Sequence, residues 1–198
     1  MTTTSNPQSI GLLGGIFDPP HNGHIAIARR TADALNLSTV IFIPSGTPPH
    51  KTHPGADKSH RLAMVELATQ SDPRFCVWKG ELDRTGISYT VDTLTEISDE
   101  YPNCKLMFII GTDNLSEIPL WKNYRKILET VTLCVVHRPG FVFEIPVQLA
   151  NATIVGVPSP ELDISSTMVR ESLNTGKDVS GIMDGKVCEY IRRNSLYV

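Results

Sequence analysis

The 198-residue sequence has little of several features that would assign it to a special class of protein. Its four cysteines, Cys76, Cys104, Cys134 and Cys188, are far apart and form no C-x-x-C pair, so they give no support to a zinc or redox site. No stretch approaches the roughly 18 apolar residues of a membrane-spanning helix, and the start has no apolar core of a signal peptide. We therefore expect a cytoplasmic protein with no membrane partner and a loose tail over residues 1–9.

The sequence also lacks an excess of charge of either sign. Its 18 Lys and Arg residues and 21 Asp and Glu residues leave a formal net charge of -3. Such a protein has no long-range attraction for nucleic acid, so an anionic partner must be held by local donors. The balance argues against nucleic acid and favours a small-molecule site. The length predicts one domain over residues 1–198.

What the sequence does contain is a regular alternation of short apolar runs and segments of helical pattern. Several runs are apolar throughout, as in strands that are buried on both faces. Strands are predicted at 10–17, 40–44, 75–79, 106–110, 131–136 and 153–157, and helices at 24–35, 58–70, 90–100, 120–129, 166–173 and 185–193. This order predicts an α/β, Rossmann-like fold: an open parallel sheet with helices on both faces. Ligands of such sheets bind beyond the carboxyl ends of the strands.

A glycine-rich segment, residues 14–24, leads from the first strand directly into the first helix. Its glycines allow a nucleotide to approach the backbone, and a helix that begins near Asn22 presents unpaired N–H groups and a partial positive charge. His21 and His24 lie three residues apart, so in a helical turn both rings can donate to phosphate oxygens. Neither the G-x-G-x-x-G nor the G-x-x-x-x-G-K-[ST] pattern is present, which disfavours a dehydrogenase or a P-loop protein.

A second segment, residues 164–170, reads I-S-S-T-M-V-R and opens a predicted helix near the end of the chain. Hydroxyls at a helix start ordinarily serve as caps. Arg170, however, follows Thr167 by three residues, so it projects from the same face of the first turn and adds a cation to N–H groups that already favour anions. This combination predicts a polyphosphate site.

The H-x-G-H pattern after a glycine-rich first strand and the I-S-S-T-x-x-R pattern together resemble the two signatures of the class I nucleotidyltransferase superfamily. Further stretches are similar to the nicotinate mononucleotide adenylyltransferases: P-P-H-K at 48–51, G-I-S-Y-T-V-D-T-L at 86–94, G-T-D-N at 111–114 with Trp121, and H-R-P-G at 137–140. The resemblance spans almost the whole chain. Ile16 departs from it, because the family commonly has Thr there; a backbone contact survives this exchange, whereas a hydroxyl contact does not.

The resemblance implies a fold of the nucleotidyltransferase type and transfer of the adenylyl group of ATP to nicotinate mononucleotide in NAD biosynthesis. It implies catalytic roles for His21, His24 and Arg170. The residues that it places at ATP are Gly14, Gly15, Ile16, Phe17, Gly23, Arg138, Ile164, Ser165, Ser166 and Thr167. The residues that it places at the mononucleotide are Lys51, Thr90, Gly111, Asp113 and Trp121. Mg²⁺ is expected to arrive on the ATP phosphates and not in a protein cage. A homo-oligomer is left open.

Alternatives remain at this stage. Trp121 could simply pack on a helix, Asp113 could cap one, and Arg138 could belong to a plain turn. The nearest other functions are a dual-specificity nicotinamide and nicotinate enzyme, or a superfamily member acting on phosphopantetheine or a polyol phosphate. The class I aminoacyl-tRNA synthetases share the signatures, but the chain has no basic patch for tRNA. A regulator without turnover is disfavoured because all three predicted catalytic residues are present.

Overall fold

A computed structural model describes residues 8–48, 55–137, 143–160, 162 and 164–198. The strands in this part of the chain are β1 (Ser9–Gly15), β2 (Thr39–Pro44), β3 (Phe75–Val77), β4 (Lys105–Gly111), β5 (Thr132–Val136) and β6 (Ile154–Val157). They form a six-stranded sheet in the order β3-β2-β1-β4-β5-β6, and all neighbouring strands are parallel. The predicted α/β fold with an open parallel sheet is confirmed.

Helices lie between most of the consecutive strands, as parallel pairing requires, and two more follow the last strand. They are α1 (Asn22–Leu35), α2 (Lys58–Thr69), α3 (Gly80–Asp83), α4 (Thr90–Glu100), α5 (Thr112–Leu115), α6 (Tyr124–Thr130), α7 (Ser166–Asn174) and α8 (Gly185–Arg193), with short 3-10 turns at Ile118–Leu120 and Val147–Leu149. Among the described residues, none of the helices combines the length and the apolarity needed to span a bilayer.

The sheet carries a hydrophobic core on each face. Successive residues of a strand point to opposite faces, so Leu13 of β1 packs into the core beneath α1, α2, α7 and α8, whereas Leu12 packs into the core beneath α4 and α6. Burial on both faces explains why the strands read as continuous apolar runs.

The order of the strands decides where a ligand can bind. The chain builds outward from β1 to β2 and β3, then returns to place β4 on the other side of β1. Because the connections leave β1 and β4 in opposite directions, a crevice opens between the carboxyl ends of these two strands.

The predicted boundaries differ from the structure where local backbone geometry intervenes. The first strand ends at Gly15 and not at Phe17, because Phe17 has a left-handed φ of 51°. The helix predicted from residue 120 begins at Tyr124, after Asn123 with φ 49°. Ser9, expected in the tail, is the first residue of β1. Helices α3 and α5 were not predicted, since a single turn is too short for a periodic pattern.

Candidate active site

A cavity of about 630 Å³ lies at the carboxyl ends of β1 and β4, within the size range of small-molecule sites. It is walled by the segment after β1, by the starts of α4 and α7 and by the chain that follows β4. The predicted site residues that line it are Gly14, Gly15, Ile16, Phe17, His24, Thr90, Gly111, Asp113, Trp121, Ser166, Thr167 and Arg170. The structure therefore brings residues of both signature segments and four of the five predicted mononucleotide residues to one place.

Other predicted residues are placed differently. Of the described residues, His21, Gly23, Ile164 and Ser165 are not part of the cavity wall. The hydroxyl of Ser165 accepts a hydrogen bond from the Met168 N–H at 3.2 Å, so this residue caps α7. Lys51 and Arg138 lie outside the described residues.

The two histidines of the first segment form a stacked pair at the start of α1. Their ring centroids are 3.7 Å apart, His21 is 6% exposed, and His24 lines the cavity. The backbone N–H of His21 donates to Nδ1 of His24 at 3.2 Å. Because an N–H can only donate, Nδ1 of His24 must be an acceptor, and the neutral ring carries its proton on Nε2. His24 is therefore held in the tautomer in which Nε2 can donate to a phosphate oxygen.

Gly23 allows this stacking. A Cβ atom at position 23 would lie 2.9 Å from Nδ1 of His21 and 3.5 Å from the carbonyl oxygen of Ile164. The glycine of H-x-G-H thus provides the space for the His21 ring, whereas the approach of the Ile164 carbonyl is an ordinary contact distance.

Asp18 has a central place that the sequence analysis did not assign to it. Its carboxylate is buried and accepts hydrogen bonds from the N–H groups of Gly55 and Ala56, at 2.6 and 3.1 Å, and from the hydroxyl of Tyr197 at 2.6 Å. Its carbonyl oxygen accepts from Nη1 of Arg170 at 2.7 Å. The sequence signal that could have identified Asp18 is a carboxylate in a segment rich in glycine and proline. No local pattern indicates which distant residues bind to it.

The start of α7 is docked onto the first segment by hydrogen bonds from both signatures. Besides its bond to the Asp18 carbonyl, Arg170 donates from Nη2 to the Thr167 hydroxyl at 3.2 Å, as the three-residue spacing predicted. The hydroxyl of Ser166 donates to the carbonyl of Pro19 at 2.9 Å. The guanidinium is thereby held in one orientation at the cavity wall, next to the N-terminal end of a helix.

A buried cation, Arg61 of α2, supports the same segment from behind. It is 1% exposed, and its Nη1 donates to the carbonyl of Ile16 at 2.8 Å. Burial lowers the pKa of Arg61, and the nearby Asp18 carboxylate opposes this shift. The guanidinium groups of Arg61 and Arg170 thus both lie near the Asp18 carboxylate, which offsets part of their charge. Ile16 takes part in this contact through its backbone alone.

The part of the cavity around Trp121 and Thr90, called the aromatic end below, is lined by aromatic rings. Trp121 is partly buried and meets Phe108 edge-on, with ring centroids 6.2 Å apart. Thr90 is the first residue of α4, so its N–H belongs to a helix start. Nζ of Lys122 lies 4.0 Å from the centroid of the Tyr89 ring. This end offers a ring face and backbone donors.

A second buried carboxylate, that of Glu81, lies in the cavity wall and was also not predicted from the sequence. It accepts from the Gly46 N–H at 3.2 Å and from the Thr93 hydroxyl at 2.8 Å. A Cβ atom on Gly46 would lie 2.1 Å from the Glu81 carbonyl oxygen, so only glycine permits this approach. Glu81 thus ties the loop after β2 to α4.

Comparisons with known proteins agree with this geometry. The model of the cytidylyltransferase-like family matches residues 12–172. The chain is 40% identical over 191 residues to a probable nicotinate-nucleotide adenylyltransferase of Bacillus mycoides (strain KBAB4), covering 96% of this chain and 98% of the relative. It is 39% identical over 191 residues to the nicotinate-nucleotide adenylyltransferase of Bacillus subtilis (strain 168), with the same coverage.

Solved structures share the fold. Plasmodium falciparum nicotinic acid mononucleotide adenylyltransferase complexed with NaAD superposes with a TM-score of 0.77 at 19% identity, over 96% of this chain and 97% of that one. A putative nicotinate-nucleotide adenylyltransferase from Vibrio parahaemolyticus gives a TM-score of 0.70 at 20% identity, over 96% and 95% of the two chains. At such identities the likeness concerns the fold.

Proposed function

This chain belongs to the cytidylyltransferase-like family, and within it to the nicotinate-nucleotide adenylyltransferases, and we propose on that basis that it transfers the adenylyl group of ATP to nicotinate mononucleotide. The products are nicotinate adenine dinucleotide and pyrophosphate. The observation that carries the proposal is the meeting of the two signature segments in one cavity wall, where Arg170 donates to the Asp18 carbonyl at 2.7 Å.

The reaction needs positioning and neutralisation of charge. The phosphate of the mononucleotide is already ionised near neutral pH, so it attacks the α-phosphorus of ATP without a general base. A new P–O bond forms in line with the bond to the β-phosphate, which breaks as pyrophosphate leaves. Preorganised donors that face the α-phosphate and the leaving group lower the barrier.

Two of the three predicted catalytic residues supply these donors directly. Nε2 of His24 and the guanidinium of Arg170 stabilise the charge that builds on the α-phosphate and on pyrophosphate, together with the N-terminal end of α1. His21 is buried and is not part of the described cavity wall. We therefore assign to His21 an action through the ring of His24.

Mg²⁺ fits this site as a companion of ATP. Among the described residues, no group of three or more His, Cys, Asp and Glu side chains could hold a metal ion. Both carboxylate oxygens of Asp18 already accept hydrogen bonds from the protein. A hard cation that keeps its waters needs few protein ligands, and when bound with ATP it would neutralise phosphate charge.

The aromatic end accommodates the mononucleotide. In this proposal the pyridine ring stacks on Trp121, the nicotinate carboxylate accepts from backbone N–H groups at Thr90, and Gly111 and Asp113 lie near the ribose hydroxyls. Lys51, outside the described residues, is a further predicted contact of the mononucleotide, and Arg138, also outside them, is a predicted contact of ATP. The net charge of -3 supports small molecules and not nucleic acid as partners. We propose a cytoplasmic protein that acts as one domain.

Pyrophosphate release from ATP and Mg²⁺ tests the proposal. Nicotinate mononucleotide, nicotinamide mononucleotide and phosphopantetheine are compared under identical conditions, and we expect a clear preference for the first. Comparable rates with the first two would indicate a dual-specificity enzyme. Activity with phosphopantetheine alone, or with none of the three, would contradict the proposed substrate.

A further inference from the structure

Tyr197, one residue from the end of the sequence, reaches into the network behind the catalytic cavity. Its hydroxyl donates to Oδ1 of Asp18 at 2.6 Å, across 179 positions of the chain. Its ring is partly buried and packs against the loop at Gly55, where a Cβ atom would lie 3.4 Å from Cε1 of the tyrosine. The end of the chain is thus joined to the H-x-G-H segment by a specific hydrogen bond.

Two properties of Tyr197, its backbone conformation and the protonation of its hydroxyl, are consistent with a side chain held in place by the bond to Asp18. The residue has a φ of 62°, which is uncommon for a bulky side chain and persists where surrounding contacts hold it. Burial and the hydrogen bond to Asp18 raise the pKa of the Tyr197 hydroxyl. The hydroxyl therefore stays protonated near neutral pH and remains a donor to the carboxylate.

Asp18 connects Tyr197 to Arg170 in the cavity wall. Its carboxylate accepts from Gly55, Ala56 and Tyr197, and its carbonyl oxygen accepts from the Arg170 guanidinium. The carboxylate contacts orient the residue, and the orientation of its carbonyl decides where Nη1 of Arg170 is held. Loss of one carboxylate donor leaves Asp18 freer to turn.

We propose that Tyr197 is a positioning residue for adenylyl transfer: its bond to Asp18 fixes the carbonyl that holds Arg170 in the orientation needed in the transition state. This inference rests on the proposed function. It adds a role at the end of the chain that neither signature predicts.

Tyr190 offers a matched control in the same C-terminal region. Its hydroxyl lies 3.0 Å from Nδ1 of His60 and joins α8 to α2. Neither Tyr190 nor His60 is among the described residues that line the cavity. Removal of this hydroxyl deletes a comparable hydrogen bond without touching Asp18.

The experiment compares Tyr197→Phe with Tyr190→Phe, since each keeps the ring and removes one hydroxyl. For Tyr197→Phe we expect kcat of pyrophosphate release to fall about tenfold, the scale of one charge-assisted hydrogen bond, with KM for the mononucleotide nearly unchanged. Amide hydrogen exchange should become faster at Gly55 and Ala56. For Tyr190→Phe we expect wild-type kcat and wild-type exchange at these two amides, even if its melting temperature falls by the same amount.

The outcomes separate this inference from the proposed function. An active wild type with an equally active Tyr197→Phe variant overturns the inference alone, and so do equal losses of kcat in both variants, which would reflect stability. A wild type that is inactive with nicotinate mononucleotide contradicts the proposed function, and the inference with it. A selective loss of kcat together with faster exchange supports the inference.

Discussion

The two ends of the cavity are built in different ways. At the end where the proposal places the phosphates, Asp18 and Arg61 are almost fully buried, and Asp18, Arg61 and Arg170 each form a hydrogen bond within or onto the first segment. At the mononucleotide end, Lys122 and Asp92 form a pair at 3.5 Å whose side chains are 46% and 48% exposed. Exposed pairs of this kind contribute little energy.

This difference matches the demands of the reaction. Charge stabilisation in a transition state depends on donors that are already in place, so the phosphate end needs a rigid support. Binding of a ring depends mainly on contact area and tolerates small adjustments of the side chains around it. We therefore expect substitutions at the first end to lower kcat and substitutions at the second end to raise KM.

The largest effect is expected for His24→Ala. In the proposed mechanism this variant loses a donor that acts on the developing charge, so kcat should fall by about a hundredfold or more, with a much smaller change in KM for the mononucleotide. Steady-state pyrophosphate release measures both constants, and His60→Ala, whose ring contacts Tyr190 and does not line the described cavity, is the control. A His24→Ala variant with near-native kcat would remove this residue from the mechanism.

Arg170→Lys should have the next largest effect. Lysine keeps the charge but cannot reproduce the fork that donates to the Asp18 carbonyl and to Thr167, so kcat should fall by about thirtyfold. The same assay applies. Arg193→Lys, an exposed residue at the end of α8, is the control and should keep wild-type kcat. Equal activity of the two variants would show that charge alone suffices at position 170.

Trp121→Ala tests the other side of the comparison. Loss of the ring should raise KM for nicotinate mononucleotide by about tenfold and leave kcat within a few-fold of the wild type. Trp78→Ala is a control, because the Trp78 indole donates to Glu100 outside the described cavity wall. A fall in kcat with unchanged KM would mean that the aromatic end contributes to the chemical step and that the contrast between the two ends is wrong.

The smallest effect on activity is expected for Asp72→Asn, which lies in an ionic network far from the cavity. Hydrogen bonds from Arg74 hold the pKa of the Asp72 carboxyl well below its ordinary value. A depressed pKa stabilises the fold above the ordinary value of about 3.9, and the contribution is lost as the pH falls further. The variant should therefore melt a few degrees lower at pH 7, with a smaller difference at pH 3.

Thermal unfolding at the two pH values measures this effect, with Asp99→Asn at an exposed position of α4 as the control. The kcat of the Asp72→Asn variant should equal that of the wild type. A difference in melting temperature that persists unchanged at pH 3 would show that the charge of Asp72 is not what stabilises the fold.

Much of the fold could be predicted from local pattern. The apolar runs located every strand to within one or two residues, because burial on both faces leaves a strong signal in the sequence. The start of α6 was wrong, since the left-handed backbone of Asn123 is not encoded by periodicity. The one-turn helices α3 and α5 were not predicted, because one turn is too short to show a periodic pattern.

The residues of the candidate site likewise fall into those that local spacing predicts and those that depend on distant contacts. Gly23 and His24 could be predicted as site residues because they lie close to His21 within the start of α1. Arg170 could be predicted because its three-residue spacing from Thr167 falls within the start of α7. Asp18 was present in the quoted segment without a role, and Tyr197 had none at all, because a hydrogen bond over 179 positions has no local pattern. The signal for such a pair exists only after the chain has folded.

By itself, the sequence determined the class of fold, the two helix starts proposed to bind phosphate and the residue types proposed to act there, since periodicity and spacing are local properties of the chain. Only the tertiary structure decided that α7 docks on the first segment, that Arg61 supports Ile16 from behind and that Tyr197 holds Asp18. These contacts depend on the order of the strands and on the packing of helices against the sheet, which bring together residues that no local rule relates.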